Sequence, residues 1–282
     1  MSEIIDAHVH YWRVDRGDYH WMTQNLSICR DYLPEDAAQL FDAAGVDGIV
    51  LVQAAATEAE TRFMFNLAAT DRRVRGVVGW IAMEANDAPD RLAALAENTL
   101  LRGIRPMWQD IADPEWFLRP QQDAAYRAVT QLGLSFDALA RVWHLGHLPR
   151  LIERHPEMPV VIDHAAKPQI VDGNFASWRR DMEVLAGFGH VYCKFSGLVT
   201  EAAWGAPIDD IRPYADALIE LFGPYRLIFG SDWPVVTTYR GYATWWDWAH
   251  QLTKSLSVHE QTAIFGGTAT HFYRLQPRAK SI

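Results

Sequence analysis

The sequence predicts an α/β protein of the (β/α)₈ TIM-barrel class. Eight short runs rich in β-branched and aromatic residues alternate with eight longer amphipathic stretches, the pattern of repeated βα units around a parallel sheet. The short runs are almost continuously apolar, as strands covered on both faces must be. Several reactive polar residues fall at the C-terminal ends of different runs, and in a closed barrel those ends share one face. A barrel uses ~250 residues, so the 282 residues of the chain are read as one domain spanning 1–282.

The predicted strands are 4–9, 48–52, 75–81, 103–106, 134–136, 159–163, 191–196 and 227–230. The amphipathic stretches between and after them are 34–44, 58–69, 88–99, 121–132, 145–155, 175–186, 208–221 and 243–252. Gly48-Ile-Val-Leu-Val and Pro159-Val-Val-Ile-Asp are the clearest buried parallel strands. An open doubly wound sheet would give similar runs, but no Gly-rich phosphate loop follows an early strand. The longest irregular stretch, 11–31, is rich in Trp, Tyr, His and Arg, and is a candidate lid or specificity loop.

Composition narrows the function classes. A hydrophobic fraction of 49% supports a large core and argues against disorder. The formal net charge of −9 disfavours nucleic acid and anionic membranes as partners, since both require a positive field. No apolar run approaches the ~18 residues of a membrane span. Cys29 and Cys193 are too few for a disulfide framework, and no basic segment leads into a long apolar one near residue 1. The expected setting is therefore cytoplasmic, with a homo-oligomer left open.

Three motifs carry the chemistry. In Asp6-Ala-His8-Val-His10 the two histidines are two apart at the end of a strand, so both imidazoles face one cavity while Val9 turns into packing. Such a pair can ligate a divalent metal or donate to an oxyanion. In Ile162-Asp163-His164-Ala-Ala-Lys167-Pro168 an apolar strand runs out into polar groups at the mouth of the sheet. His164 can be a third ligand or a carbonyl-polarising donor, or Asp163 and His164 can simply cap the next segment. In Phe229-Gly-Ser231-Asp232-Trp233-Pro234 an aspartate ends the last strand, where it can take a proton from water. A helix cap or a plain turn is the alternative. Only a closed barrel brings the three motifs together.

These segments, with Tyr19-His-Trp, Val52-Gln-Ala, Gly103-Ile-Arg, Leu134-Ser-Phe-Asp, Cys193-Lys-Phe-Ser-Gly-Leu-Val-Thr-Glu and Phe222-Gly-Pro-Tyr-Arg, span nearly the whole chain. Together they resemble the amidohydrolase superfamily, in its lactonase-rich amidohydrolase 2 branch. The resemblance implies a distorted amidohydrolase-type barrel with Asp232 activating water. It implies His8, His10 and His164 as the polarising set, and Arg105 as a ligand for a substrate oxygen or carboxylate. It further implies one divalent ion, zinc by expectation, on His8, His10, His164 and Asp232, with metal-free hydrolysis as the alternative. Two metals are not expected, because near strand four there are only Arg102 and Arg105 and no bridging lysine or glutamate. Where the family usually places histidine after that arginine, this chain has Pro106-Met107-Trp108.

Further substrate-binding candidates are Gln53 and Lys194, and the residues His20, Trp21, Trp108, His144 and Trp233 in predicted loops near the active face, where aromatic rings can stack on a sugar. Lys194 can equally form a buried ion pair. The expected activity is hydrolysis of a small lactone, a sugar-acid (aldono) lactone before others. The rivals are a dicarboxylate lactone hydrolase, a metal-dependent decarboxylase of an aromatic or muconate-like acid, and a binding protein on an inactive barrel.

Overall fold

The computed structural model describes residues 3–276. Eight parallel strands pair in chain order: β1 (Ile5–Val9), β2 (Gly48–Val52), β3 (Val74–Gly79), β4 (Leu101–Ile104), β5 (Ser135–Ala138), β6 (Val160–Ile162), β7 (Val191–Phe195) and β8 (Leu227–Phe229). Each strand is followed by a helix packed outside the sheet: α1 (Pro34–Ala44), α2 (Glu58–Ala68), α3 (Ala88–Ala96), α4 (Asp123–Gln131), α5 (Leu148–Arg154), α6 (Phe175–Ala186), α7 (Ile208–Phe222) and α8 (Tyr242–Thr253). Among the described residues two short helices follow, α9 (Val258–Thr262) and α10 (Thr268–Phe272).

The sequence places every strand within two residues of its observed start or end. Two helices begin later than expected: 120–122 and 142–144 form separate tight turns ahead of α4 and α5. Helices α9 and α10 have no counterpart in the sequence reading. A wide helical turn at Ala263–Gly267 separates them and breaks the 3.6-residue periodicity on which such a reading depends.

Two apolar layers sit on either side of the sheet. The outer one, between strands and helices, takes Val9, Ile49, Leu51, Val77 and Phe195. The inner one fills the lower barrel with Ile5, Ala7, Val50, Val52, Val78, Val161 and Ile228, and Phe272, Tyr273 and Leu275 plug it from below. Strict alternation along β1 would carry His8 outward if Ala7 points inward. The β1–β2 register instead shifts between Asp6↔Ile49 and Val9↔Leu51. That bulge re-aims the strand, so Ala7 packs inside and the histidines beyond it face the barrel mouth.

β8 returns to β1 through few contacts, and these set the site. Val9 and Trp233 form a parallel bridge. The Asp232 N–H donates to the His8 carbonyl at 2.9 Å, and the His10 N–H donates to the Trp233 carbonyl at 2.7 Å. The Ser231 N–H donates to Asp6 Oδ1 at 2.8 Å. Among the described residues no helix is long and apolar enough to cross a membrane.

Candidate active site

The strand ends converge on a cavity of about 260 Å³ at the C-terminal mouth of the barrel, lined in part by His10, His164, Arg105, Lys167 and Asp232. One oxygen of Asp232 gathers the imidazoles. Its Oδ1 lies 3.1 Å from His10 Nε2, 3.8 Å from His8 Nε2 and 3.9 Å from His164 Nε2. Burial alone would raise the Asp232 pKa, but His164 and then His8, protonated in the acid range where the carboxyl group titrates, hold it below the usual carboxylate range. The backbone supports the placement, since Asp232 sits at φ 60°, a left-handed conformation that aspartate tolerates better than most residues.

Each histidine is fixed from behind. His10 Nδ1–H donates to the Val52 carbonyl at 2.7 Å, which leaves the Nε2 lone pair facing Asp232. His164 Nδ1 hydrogen-bonds Ser196 Oγ at 2.9 Å. His8 lies between two cations, with Lys194 Nζ 3.1 Å from Nδ1 and an Arg105 guanidinium nitrogen 3.1 Å from Nε2. Burial, then Lys194, pushes the His8 pKa well below its ordinary value, while burial lowers that of His164 to about 4. Both rings are therefore neutral at pH 7.

Beneath the imidazoles runs a buried network. Lys194 Nζ contacts Asp137 at 3.1 Å and Asp163 at 3.3 Å, and Tyr273 from the barrel plug donates to Asp137 at 2.6 Å. Arg105 pairs with Asp163 at 3.2 Å and donates to the Gln53 carbonyl. The Gln53 amide in turn donates to the Arg105 carbonyl at 2.6 Å. Burial raises the Asp163 pKa, but Lys194, His8 and Arg105 override it and keep the carboxylate ionised.

His164 owes its aim to unusual backbone. His164, Ala165, Ala166 and Lys167 all have φ between 51° and 57°, four consecutive non-glycine residues in the left-handed region. Each costs about 1–2 kcal/mol relative to a right-handed turn, and such strain persists where the surroundings fix it and function uses it. Trp178 Nε1–H donates to the Ala165 carbonyl at 2.8 Å, and the Lys167 N–H donates to the His164 carbonyl at 2.8 Å.

The donor set fits a metal ion. His8, His10 and Asp232 offer ligand atoms within 4.8 Å of one another, as do His8, Asp163 and His164. A four-coordinate ion with bonds of ~2.0–2.1 Å separates its ligand atoms by ~3.3 Å, and the distances around Asp232 Oδ1 bracket that value. The His10 lone pair and Asp232 Oδ1 are two acceptors 3.1 Å apart, a contact that a shared cation stabilises.

The other predicted site residues divide. Trp21 lines the cavity, donating its indole N–H to the Ala54 carbonyl at 2.6 Å and meeting Trp12 edge to face at 5.6 Å. Gln53 and Lys194 are fully buried beneath the site, where they hold Arg105 and His8 rather than line the cavity. Trp108 packs in the core against Phe117 and Phe136, and His144 is buried beside it. Trp233 is wedged among Tyr11, Tyr32 and Phe41. None of these three rings lines the cavity, because each fills the apolar layer under its loop. His20 is exposed and lies outside the cavity lining.

The structure adds Trp12, Met107, Gln109 and Lys167 to the lining. Trp108 explains two of them, because its burial anchors the segment after β4 and turns its neighbours Met107 and Gln109 to the cavity. The loop 11–31 is tied down over the mouth by paired backbone bonds between Trp12 and Tyr32, 2.9 and 3.0 Å, and by Tyr19 donating to Glu60 at 2.8 Å.

Comparison with known proteins agrees with this geometry. The amidohydrolase family model matches residues 5–275. An L-fucono-1,5-lactonase of Burkholderia ambifaria is 40% identical over 280 residues, covering 98% of this chain and 97% of the relative. A second L-fucono-1,5-lactonase, from Burkholderia multivorans, is 37% identical with 96% of each chain covered. The crystal structure of a Burkholderia multivorans amidohydrolase with bound zinc superposes with a TM-score of 0.93 at 34% identity, covering 98% of this chain and all of that one. Strand order, the position of the imidazoles and the full-length match lead to one statement: the chain belongs to the amidohydrolase family.

Proposed function

We propose that this protein hydrolyses the ring ester of a sugar-acid lactone, with Asp232 as the base. The observation that carries the reading is the Asp232 carboxyl group on the cavity wall, one oxygen turned to three imidazoles and Arg105 fixed nearby. The two L-fucono-1,5-lactonases described above support the substrate class.

Because the imidazoles converge on Oδ1, the attacking water loses its proton to Oδ2 as its oxygen bonds to the lactone carbonyl carbon. A Ser196 hydroxyl that donates to His164 Nδ1 leaves the Nε2–H of that neutral ring to donate to the carbonyl oxygen as it becomes an oxyanion. The fixed charge of Arg105 favours the same build-up. A divalent ion held by His8, His10 and Asp232, zinc in this reading, would supply Lewis-acid polarisation of the carbonyl. Collapse of the tetrahedral species breaks the ring C–O bond, and Asp232 returns its proton to the departing alkoxide to give the open hydroxy acid.

Acid release from a panel of aldonolactones of both ring sizes, followed with a pH indicator with and without chelator, tests the reading. Turnover of at least one member that is lost in Asp232→Asn is the expected result. Carbon dioxide release from an aromatic acid without lactone opening would overturn it.

A further inference from the structure

The left-handed turn aims two side chains. In a turn closed by an i→i+3 hydrogen bond, residues three apart share a face, and the bond from the Lys167 N–H to the His164 carbonyl closes such a turn at 2.8 Å. His164 and Lys167 accordingly both line the cavity, while Ala165 and Ala166 are fully buried. Lys167 Nζ donates to Gln109 Oε1 at 2.6 Å, linking the segments that follow β4 and β6 across the mouth. The indoles of Trp12 and Trp21 also line this cavity.

Charge decides what such an edge binds. Arg105 is already paired with Asp163, and Arg141, which reaches the same rim, is paired with Asp110 at 3.3 Å. Burial lowers the Lys167 pKa, and the carboxylates of Asp232 and Glu201 oppose that shift without reversing it. With Arg105 and Arg141 each paired to an acid, and Lys167 held on the neutral Gln109 amide with Asp232 and Glu201 in its field, little net positive field remains to draw a second carboxylate into the cavity. A hydroxyl suits the place better. It accepts from the Lys167 ammonium and donates to Gln109 Oε1, replacing one hydrogen bond with two that complement it.

We infer that Lys167 and Gln109 form a hydroxyl-recognition edge that selects a neutral, polyhydroxylated lactone ring over both an unsubstituted ring and a dicarboxylate one. The inference rests on the lactonase reading and adds specificity to it. Neither residue moves a proton in the reaction.

The test is the ratio of kcat/KM on the best aldonolactone of the panel to that on the unsubstituted lactone of the same ring size, δ-valerolactone or γ-butyrolactone. A hydrogen bond to a charged group is worth about a 10- to 100-fold effect, so Lys167→Met is expected to lower this ratio about 10-fold or more. Gln109→Leu, which leaves the strained turn untouched, is expected to lower it several-fold. A ratio unchanged within about twofold in both variants would overturn the inference. Affinity of Asp232→Asn for the aldonolactone, read by tryptophan fluorescence, separates recognition from turnover. If the wild-type chain opens no lactone but Lys167→Met in the Asp232→Asn background weakens binding about 10-fold, the recognition edge stands and the lactonase reading falls. No binding, or binding indifferent to Lys167→Met, overturns the edge itself.

Discussion

Gly197 lies directly against His164: a Cβ built on Gly197 would stand 2.5 Å from the His164 Cβ, at a residue whose φ is +72°. That glycine is the space His164 occupies. Gly197→Ala is therefore expected to displace the imidazole and strain the backbone together, lowering kcat by about 10-fold or more and Tm by several degrees. Kinetics and a thermal melt of the purified variant check both. Unchanged kcat would mean that the position of His164 does not matter to turnover.

Asp232→Asn removes the base while nearly preserving shape. The amide cannot take a proton from water, so kcat is expected to fall by about 10²–10⁴-fold. Far-UV circular dichroism should be unaltered. A loss of less than about tenfold would assign the base elsewhere.

Metal occupancy is testable by stability as well as by rate. A ligand that binds only the folded state raises Tm as its concentration exceeds Kd. Chelator-treated protein is expected to gain several degrees on addition of zinc, and His10→Ala is expected to lose most of that gain. Equal shifts in the two proteins would place the ion away from His10.

Glu60 anchors the loop over the mouth, accepting from Tyr19, pairing with Arg16 at 3.2 Å and accepting the Ala54 N–H at 3.1 Å. Burial raises its pKa from 4.5 to about 7. The folded state then holds a proton that the unfolded state has released between those two values. Its stabilising contribution is full below about pH 4.5 and is lost as pH rises through about 7. Relative to wild type, Glu60→Gln is expected to gain in Tm between pH 5 and 8. A difference in Tm that is flat with pH would contradict this.

Lys194 holds two buried carboxylates, Asp137 and Asp163. Lys194→Met leaves Asp137 buried without a cation and Asp163 with Arg105 alone, and is expected to destabilise the fold by about 3–5 kcal/mol. Denaturant unfolding measures the loss. A smaller cost is expected for Lys194→Met combined with Asp137→Asn.

The barrel and the four converging side chains were legible because both follow from short-range rules. Two-residue periodicity puts His8 and His10 on one side, and polar residues at strand ends mark the mouth. The β1 bulge was not legible, since nothing local in Asp6-Ala-His distinguishes a shifted register. Trp108, His144 and Trp233 look like stacking platforms in a loop, yet the apolar layer under that loop claims them. Lys167 was visible as part of a polar run, but its aim depends on four left-handed residues, a conformation that Ala165 and Ala166 do not favour. Gln109 turns to the cavity only because Trp108 beside it is buried.

The seam between β1 and β8 has a consequence for synthesis. His8 and His10 leave the ribosome well before Asp232, which follows His10 by 222 residues. A nascent chain can assemble strand upon strand and still lack the group that completes its reactive centre. A polypeptide terminated before Asp232 lacks one of the four converging groups and, on the reading proposed above, opens no lactone however much of its barrel has formed.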